Sequence, residues 1–238
     1  MLVWFHRLRR LHYFLAHQAL YPLVFSSLLA VGLFACRVYL ALSSAQPYTS
    51  HPLMYINLVW NLFLAWMPYL ASLWAAGLYQ RHPRRWPNLL IPGAVWLVFF
   101  PNAPYIVTDF MYLEVRPPIP IWYDVVLLSV FAWTGLFLAI FSLRTMQTLV
   151  RSFLGSLASW LFVLGSLGLG GLGIYVGRYL RWNSWDLFFQ PRDVLADVAV
   201  QLANPWDYPR MLGVTLIFAA FLLVCYLTLA AVPSRRQS

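Results

Sequence analysis

Charged side chains are scarce in this chain, lysine is missing altogether, and only two cysteines occur in 238 residues. Each shortage excludes something. With 10% charged and 62% hydrophobic residues, against about a quarter and about a half in soluble domains, the chain does not have water as its main solvent. Cys36 and Cys225 lie in different apolar runs without a partner spacing. That excludes a disulfide framework or a redox motif and leaves them as small apolar fillers. No HExxH or comparable histidine pair is present, and no Ser-His-acid set emerges, so a zinc site or a serine hydrolase is not indicated. No polar linker and no repeat of roughly 20–50 residues divides the chain, and residues 1–238 read as one integral membrane domain.

Long apolar runs are abundant. Residues 22–42, 53–78, 121–143, 153–176 and 211–232 are each near-continuous, and each is long enough to cross a hydrocarbon core of roughly 30 Å. A sixth run, 88–107, has the length but carries Pro101 and Pro104 near its end. The expected fold is therefore all-α, a polytopic bundle of six transmembrane helices with a proline-broken third span.

Arginine sets the orientation, because short arginine-rich loops are retained in the cytoplasm. With the N-terminus inside, Arg7, Arg9, Arg10, Arg81, Arg84, Arg85, Arg144, Arg151, Arg235 and Arg236 fall on the cytoplasmic side. The other six arginines fall outside, and all seven acids, from Asp109 to Asp207, map to the outer ends. Of the histidines, His6, His12, His17 and His82 map inside and His51 outside. The formal charge of +9 forms no single-sign face, which argues against nucleic acid and for membrane lipids as the charged partner.

Residues 1–20 place Trp4, Leu8, Leu11 and Leu15 on one helical stripe and Arg7 and Arg10 on another, the pattern of an interfacial helix. The small residues Ser43, Ser44 and Ala45 after the first run resemble a cleavage site. About twenty apolar residues suit a retained signal anchor better than an h-region of roughly 7–15. The longest non-spanning segment is the outer loop 177–210. Within it Asp193, Asp197 and Gln201 recur at helical spacing opposite Val194, Val198 and Leu202, which predicts a short amphipathic helix on the outer surface, ended by Pro205.

The fifth run contains Gly168, Gly170 and Gly173 in a dinucleotide-like pattern, but no strand precedes it and no acid follows at the ribose distance. The glycines read instead as a packing face. Gly165, Gly170, Gly173 and Gly177 then offer a surface for another membrane helix.

In the third run, Pro101 and Pro104 lack N–H groups and free carbonyls in the outer third of the bilayer. Asn102 and Thr108 are placed to satisfy them, as are Asn57 and Asn61, four apart on one face of the second span. Broken helices with polar side chains line cavities in transporters. Beyond the break come Asp109, then Trp122-Tyr123-Asp124, and after the fifth span Arg178, Arg181, Asn183 and Asp186. Buried charges require partners. These blocks are therefore expected to form one outward-facing polar site, with Arg37 near the outer end of the first span. The expected ligand-binding set is Asn57, Asn61, Asn102, Asp109, Tyr123, Asp124, Arg178, Arg181, Asn183 and Asp186.

The string from Trp96 to Asp109, with Trp122-Tyr123-Asp124 and the stretch from Gly177 to Asp186, resembles an uncharacterised bacterial multi-pass membrane family, domain-of-unknown-function family 1361, over roughly residues 50–230. The resemblance implies a bacterial inner-membrane location and adds weight to the three blocks as one site; it carries no established activity, and any cofactor is unknown. Three functions fit the residues: binding or transport of a small polar or lipid-headgroup ligand, an accessory or assembly subunit of a larger membrane complex, and a membrane enzyme acting on a lipid-linked or extracytoplasmic substrate, for which three aspartates near two arginines could bind a divalent ion and a phosphate-bearing lipid.

Overall fold

A computed structural model describes residues 18–43, 53–83, 85–182 and 186–231. The expected interfacial helix over 1–20 lies almost wholly outside these, as does Asn183. Among the described residues every regular element is a helix, and β-structure is limited to one isolated bridge between Arg116 and Ile119.

Helix α1 (Leu20–Leu42) and helix α2 (Ile56–Arg81) are the first two passes. The third begins with a 3-10 turn at Trp86–Leu89 and continues through α3 (Leu90–Phe99), α4 (Asn102–Tyr105) and a second 3-10 segment, Ile106–Tyr112. Helix α5 runs from Ile121 to Tyr175 and passes into a π-helical turn, Val176–Leu180. The short α6 (Asp186–Phe189) and α7 (Pro191–Ala203) follow, and α8 (Pro209–Ala231) is the last pass.

Five of these stretches are long and apolar enough to span a membrane, where six separate helices were expected. The fourth and fifth spans are one helix by hydrogen bonding, about 82 Å of it at 1.5 Å per residue, far more than one crossing needs. It turns back on itself at Gly155, whose φ of 82° and ψ of −177° belong to a region reserved for glycine. The reversal shows in the contacts of Trp96. Its indole nitrogen donates to Ser142 Oγ at 3.1 Å, while the Phe162 ring lies 5.4 Å away. Twenty residues of straight helix would separate positions 142 and 162 by about 30 Å, so the two limbs of α5 run antiparallel with Trp96 between them. Length therefore permits six passes.

The glycines of the second limb set how closely it approaches the third pass. A Cβ on Gly173 would lie 2.4 Å from Pro101 Cβ, and one on Gly177 would lie 3.0 Å from the Tyr105 ring. One on Gly170 would lie 3.2 Å from the Phe100 ring, and one on Gly171 would run into the Thr215 backbone of α8. Three of the four glycines read as an external docking face are thus filled from within the chain. Gly165 alone of the four has open space beside it. At the opposite end of the bundle from Asp109 and Asp124, the Tyr79 and Phe153 rings meet at 5.6 Å, joining the end of α2 to the reversal of α5.

Candidate functional site

The expected break in the third pass is present, in a gentler form than a kink. Backbone angles stay helical at Phe100 (φ −54°, ψ −42°) and Pro101 (φ −63°, ψ −24°). What changes is the hydrogen-bond ladder, which tightens to 3-10 geometry over the seven residues from Ile106 to Tyr112. Such runs rarely exceed three or four residues and mark hinges or strained sequence. Two of the expected side chains satisfy carbonyls near the break: Asn102 Nδ2 donates to Phe99 O at 3.2 Å and Thr108 Oγ1 to Tyr105 O at 2.7 Å. Asn61 instead donates to Asp109 Oδ2 at 3.0 Å.

Arg178 is the centre of this region. The π-helical turn carries it off the end of α5 toward the third pass. Nη2 lies 2.6 Å from Asp109 Oδ1, and Nε donates to Thr108 Oγ1 at 2.9 Å. The guanidinium also sits 4.5 Å from the Tyr105 ring centre and 5.1 Å from that of Tyr112. Its four partners, at 105, 108, 109 and 112, share one face of a helix. With side chains only 7% and 6% exposed, the Arg178–Asp109 pair is held by added hydrogen bonds and by ring faces that attract a cation.

A cavity of about 380 Å³ opens beside this pair. Asn57, Trp60, Asn61 and Leu64, again one helical face, form its α2 wall. Pro101, Asn102, Tyr105, Asp109 and Tyr112 form the wall from the third pass, Gly173 that from α5, and Val176, Gly177 and Arg178 that from the π turn. Trp182, Leu187 and Val194 cover it from α6, α7 and the segment before them.

Of the ten expected site residues, Asn57, Asn61, Asn102, Asp109 and Arg178 line this cavity. Tyr123, Asp124, Arg181 and Asp186 lie apart from it, and Asn183 is outside the described residues. Asp124 is paired with Arg37, Nε to Oδ1 at 2.7 Å and Nη2 to Oδ2 at 3.2 Å, with side chains 0% and 2% exposed. Tyr123 donates its hydroxyl to Leu33 O at 2.8 Å and ties α5 to α1. Arg181, at φ 62° and ψ 26°, is the exposed left-handed residue that ends the π turn. Asp186 opens α6 and is not part of the lining. The single site expected from the sequence is therefore two buried ion pairs, of which one borders a cavity.

The two pairs are joined through tyrosines. Arg37 lies 4.7 Å over the Tyr55 ring, and Tyr55 donates its hydroxyl to Tyr112 O at 3.4 Å. Trp60, Tyr105, Tyr112 and Trp182 were missed as lining residues. Trp60 lies between Asn57 and Asn61 on their face, and Tyr105 and Tyr112 share the face of Asp109, so helical spacing would have found three of them.

Helix α7 was expected to turn Val194, Val198 and Leu202 one way and Asp193, Asp197 and Gln201 the other. Val194 is buried, but so is Gln201, while Leu202 is exposed. The inward face is 194, 198 and 201. Asp197 accepts from Trp182 Nε1 at 2.9 Å and holds that indole at the cavity's edge. Among the described residues, no three or more His, Cys, Asp or Glu converge as metal ligands.

An all-helical bundle with membrane-length apolar passes and a polar pocket on a buried ion pair defines a multi-pass membrane protein. The chain belongs to the family described as protein of unknown function, DUF1361, whose model matches residues 60–225. Among curated proteins and among solved structures, nothing matches it. The matched region contains both carboxylates and Arg178; Arg37 and Asn57 lie before it.

Proposed function

We propose that this protein binds a small polar or lipid-headgroup ligand in the cavity between α2, the broken third pass and the end of α5. The observation that carries the reading is the meeting of Asn57, Asn61, Asn102, Asp109 and Arg178 around about 380 Å³ of space. Polar groups at membrane depth are costly and are retained where they line a cavity, and the volume falls within the roughly 300–1,000 Å³ usual for small-molecule sites. The tightened 3-10 segment beside it matches the use of irregular helices at membrane binding sites.

The distribution of arginine supports both termini in the cytoplasm and the cavity facing outward, and the family resemblance supports a bacterial cytoplasmic membrane. Membrane lipids are then neighbours of the site as well as of the bundle. The reading is tested by native mass spectrometry of protein extracted in mild detergent. Wild type is expected to carry a bound small species that Asn61→Ala loses. Equal retention by the variant, or no bound species in wild type, would contradict it.

A further inference from the structure

We infer that the cavity takes an uncharged, hydroxyl-rich ring, that is, a sugar, either free or as the headgroup of a glycolipid. This rests on the reading of the cavity as a ligand site and adds the chemical class. The charge balance points to it first. Arg178 and Asp109, the charged groups in the lining, are each other's counter-ion at 2.6 Å. The second carboxylate oxygen accepts from Asn61, and the guanidinium is further held by Thr108. An anionic ligand would have to draw Arg178 from Asp109, and a cationic one would have to displace Arg178. Either leaves a buried charge without its partner.

The neutral polar groups match hydroxyls. An amide both donates and accepts, as a hydroxyl does. The Asn57 side chain has no hydrogen-bond partner among the described residues, and Asn61, having given its N–H to Asp109, keeps its oxygen as an acceptor. The flat apolar surfaces match the C–H face of a sugar ring. Trp60 and Trp182 both border the cavity, and Trp182 is fixed by its bond to Asp197. The volume, near the lower end for small-molecule sites, suits one ring rather than an extended chain.

The test uses full-length protein in lauryldimethylamine oxide, a sugar-free detergent, with binding read by native mass spectrometry and by thermal shift. The probes are methyl glucoside, methyl mannoside, monoglucosyl diacylglycerol and phosphatidylglycerol. The comparison is between wild type and Asn57→Ala, a change at an exposed position that leaves the packing intact. Binding of a sugar probe that weakens about tenfold in Asn57→Ala is the expected result. Response to a methyl glycoside would identify a free sugar, and response confined to the glycolipid a headgroup. Phosphatidylglycerol bound in an Asn57-dependent way, with neither kind of sugar probe bound, would overturn the sugar inference and leave the cavity as a ligand site. If no probe binds in an Asn57-dependent way, the sugar inference fails. The ligand site itself fails if wild type carries no co-purified species or if Asn61→Ala leaves that species unchanged.

Discussion

At the scale of single residues, the partners of the buried arginines decide what the site is. Removing one member of a buried pair strands the other and costs about 3–5 kcal/mol, whereas removing both costs much less. Arg178→Ala is therefore expected to be strongly coupled to Asp109→Asn, by roughly 0.5–3 kcal/mol, in thermal unfolding in detergent. Crossed against Asp124→Asn it should be additive within about 0.5 kcal/mol, because Asp124 belongs to Arg37. Coupling to Asp124 as large as that to Asp109 would contradict the two-pair arrangement. The need for charge pairing was legible in the sequence, since seven acids and the outer arginines crowd the same span ends. Who pairs with whom was not. It depends on how α1 and α5 are rotated against each other, which Tyr123 helps set through Leu33 O, and apolar runs without periodicity carry no rotational information. Arg181 lies apart from the cavity for a local reason: it ends the π turn in a left-handed conformation, a place usually taken by glycine, and nothing in its side chain announces that role.

At the scale of elements, two glycines make opposite predictions from neighbouring positions on one limb. Gly173→Ala forces a methyl into Pro101 and should destabilise by about 1–3 kcal/mol, the usual cost of overpacking. Gly165→Ala, with nothing within 4 Å of the new atom, should be neutral or stabilising by up to about 1 kcal/mol, because alanine is the better helix former. A comparable loss at both positions in thermal unfolding would mean that the α5 face is not packed as described. Gly155→Ala probes the reversal itself. At φ 82° and ψ −177° alanine is strained by about 1–3 kcal/mol, although no atom crowds the site, so a lowered melting temperature there reports backbone geometry alone. The break in the third pass was legible because a proline removes a donor wherever it stands. That it is met by a change of helical pitch with little bend depends on Asn102 and Thr108 capturing carbonyls locally, a cooperation that spacing suggests and only the fold completes. The turn at Gly155 was hidden because one glycine among small polar and apolar residues looks like any other, and a loop seemed necessary where none is.

At the scale of the whole molecule, the passes were legible from length and apolarity alone, because a bilayer core of about 30 Å demands what 62% hydrophobic composition supplies. The cavity was half legible: Asn57, Asn61, Asn102, Asp109 and Arg178 stand out as polar groups in apolar surroundings, while in a chain that is 18% aromatic its aromatic walls show only through their helical spacing from those polar groups, and Trp182 not even so. These features meet in the proposal that the polar cavity opens on the face of the membrane opposite the arginine-rich ends. The most direct measurement is single-cysteine labelling of intact cells with an impermeant thiol reagent, in a background where Cys36 and Cys225 are alanine. Asn57→Cys at the cavity and Asn204→Cys beyond α7 should be labelled, and Arg85→Cys only after permeabilisation. Labelling of position 85 in intact cells, or protection of position 57 until the membrane is opened, would contradict the account.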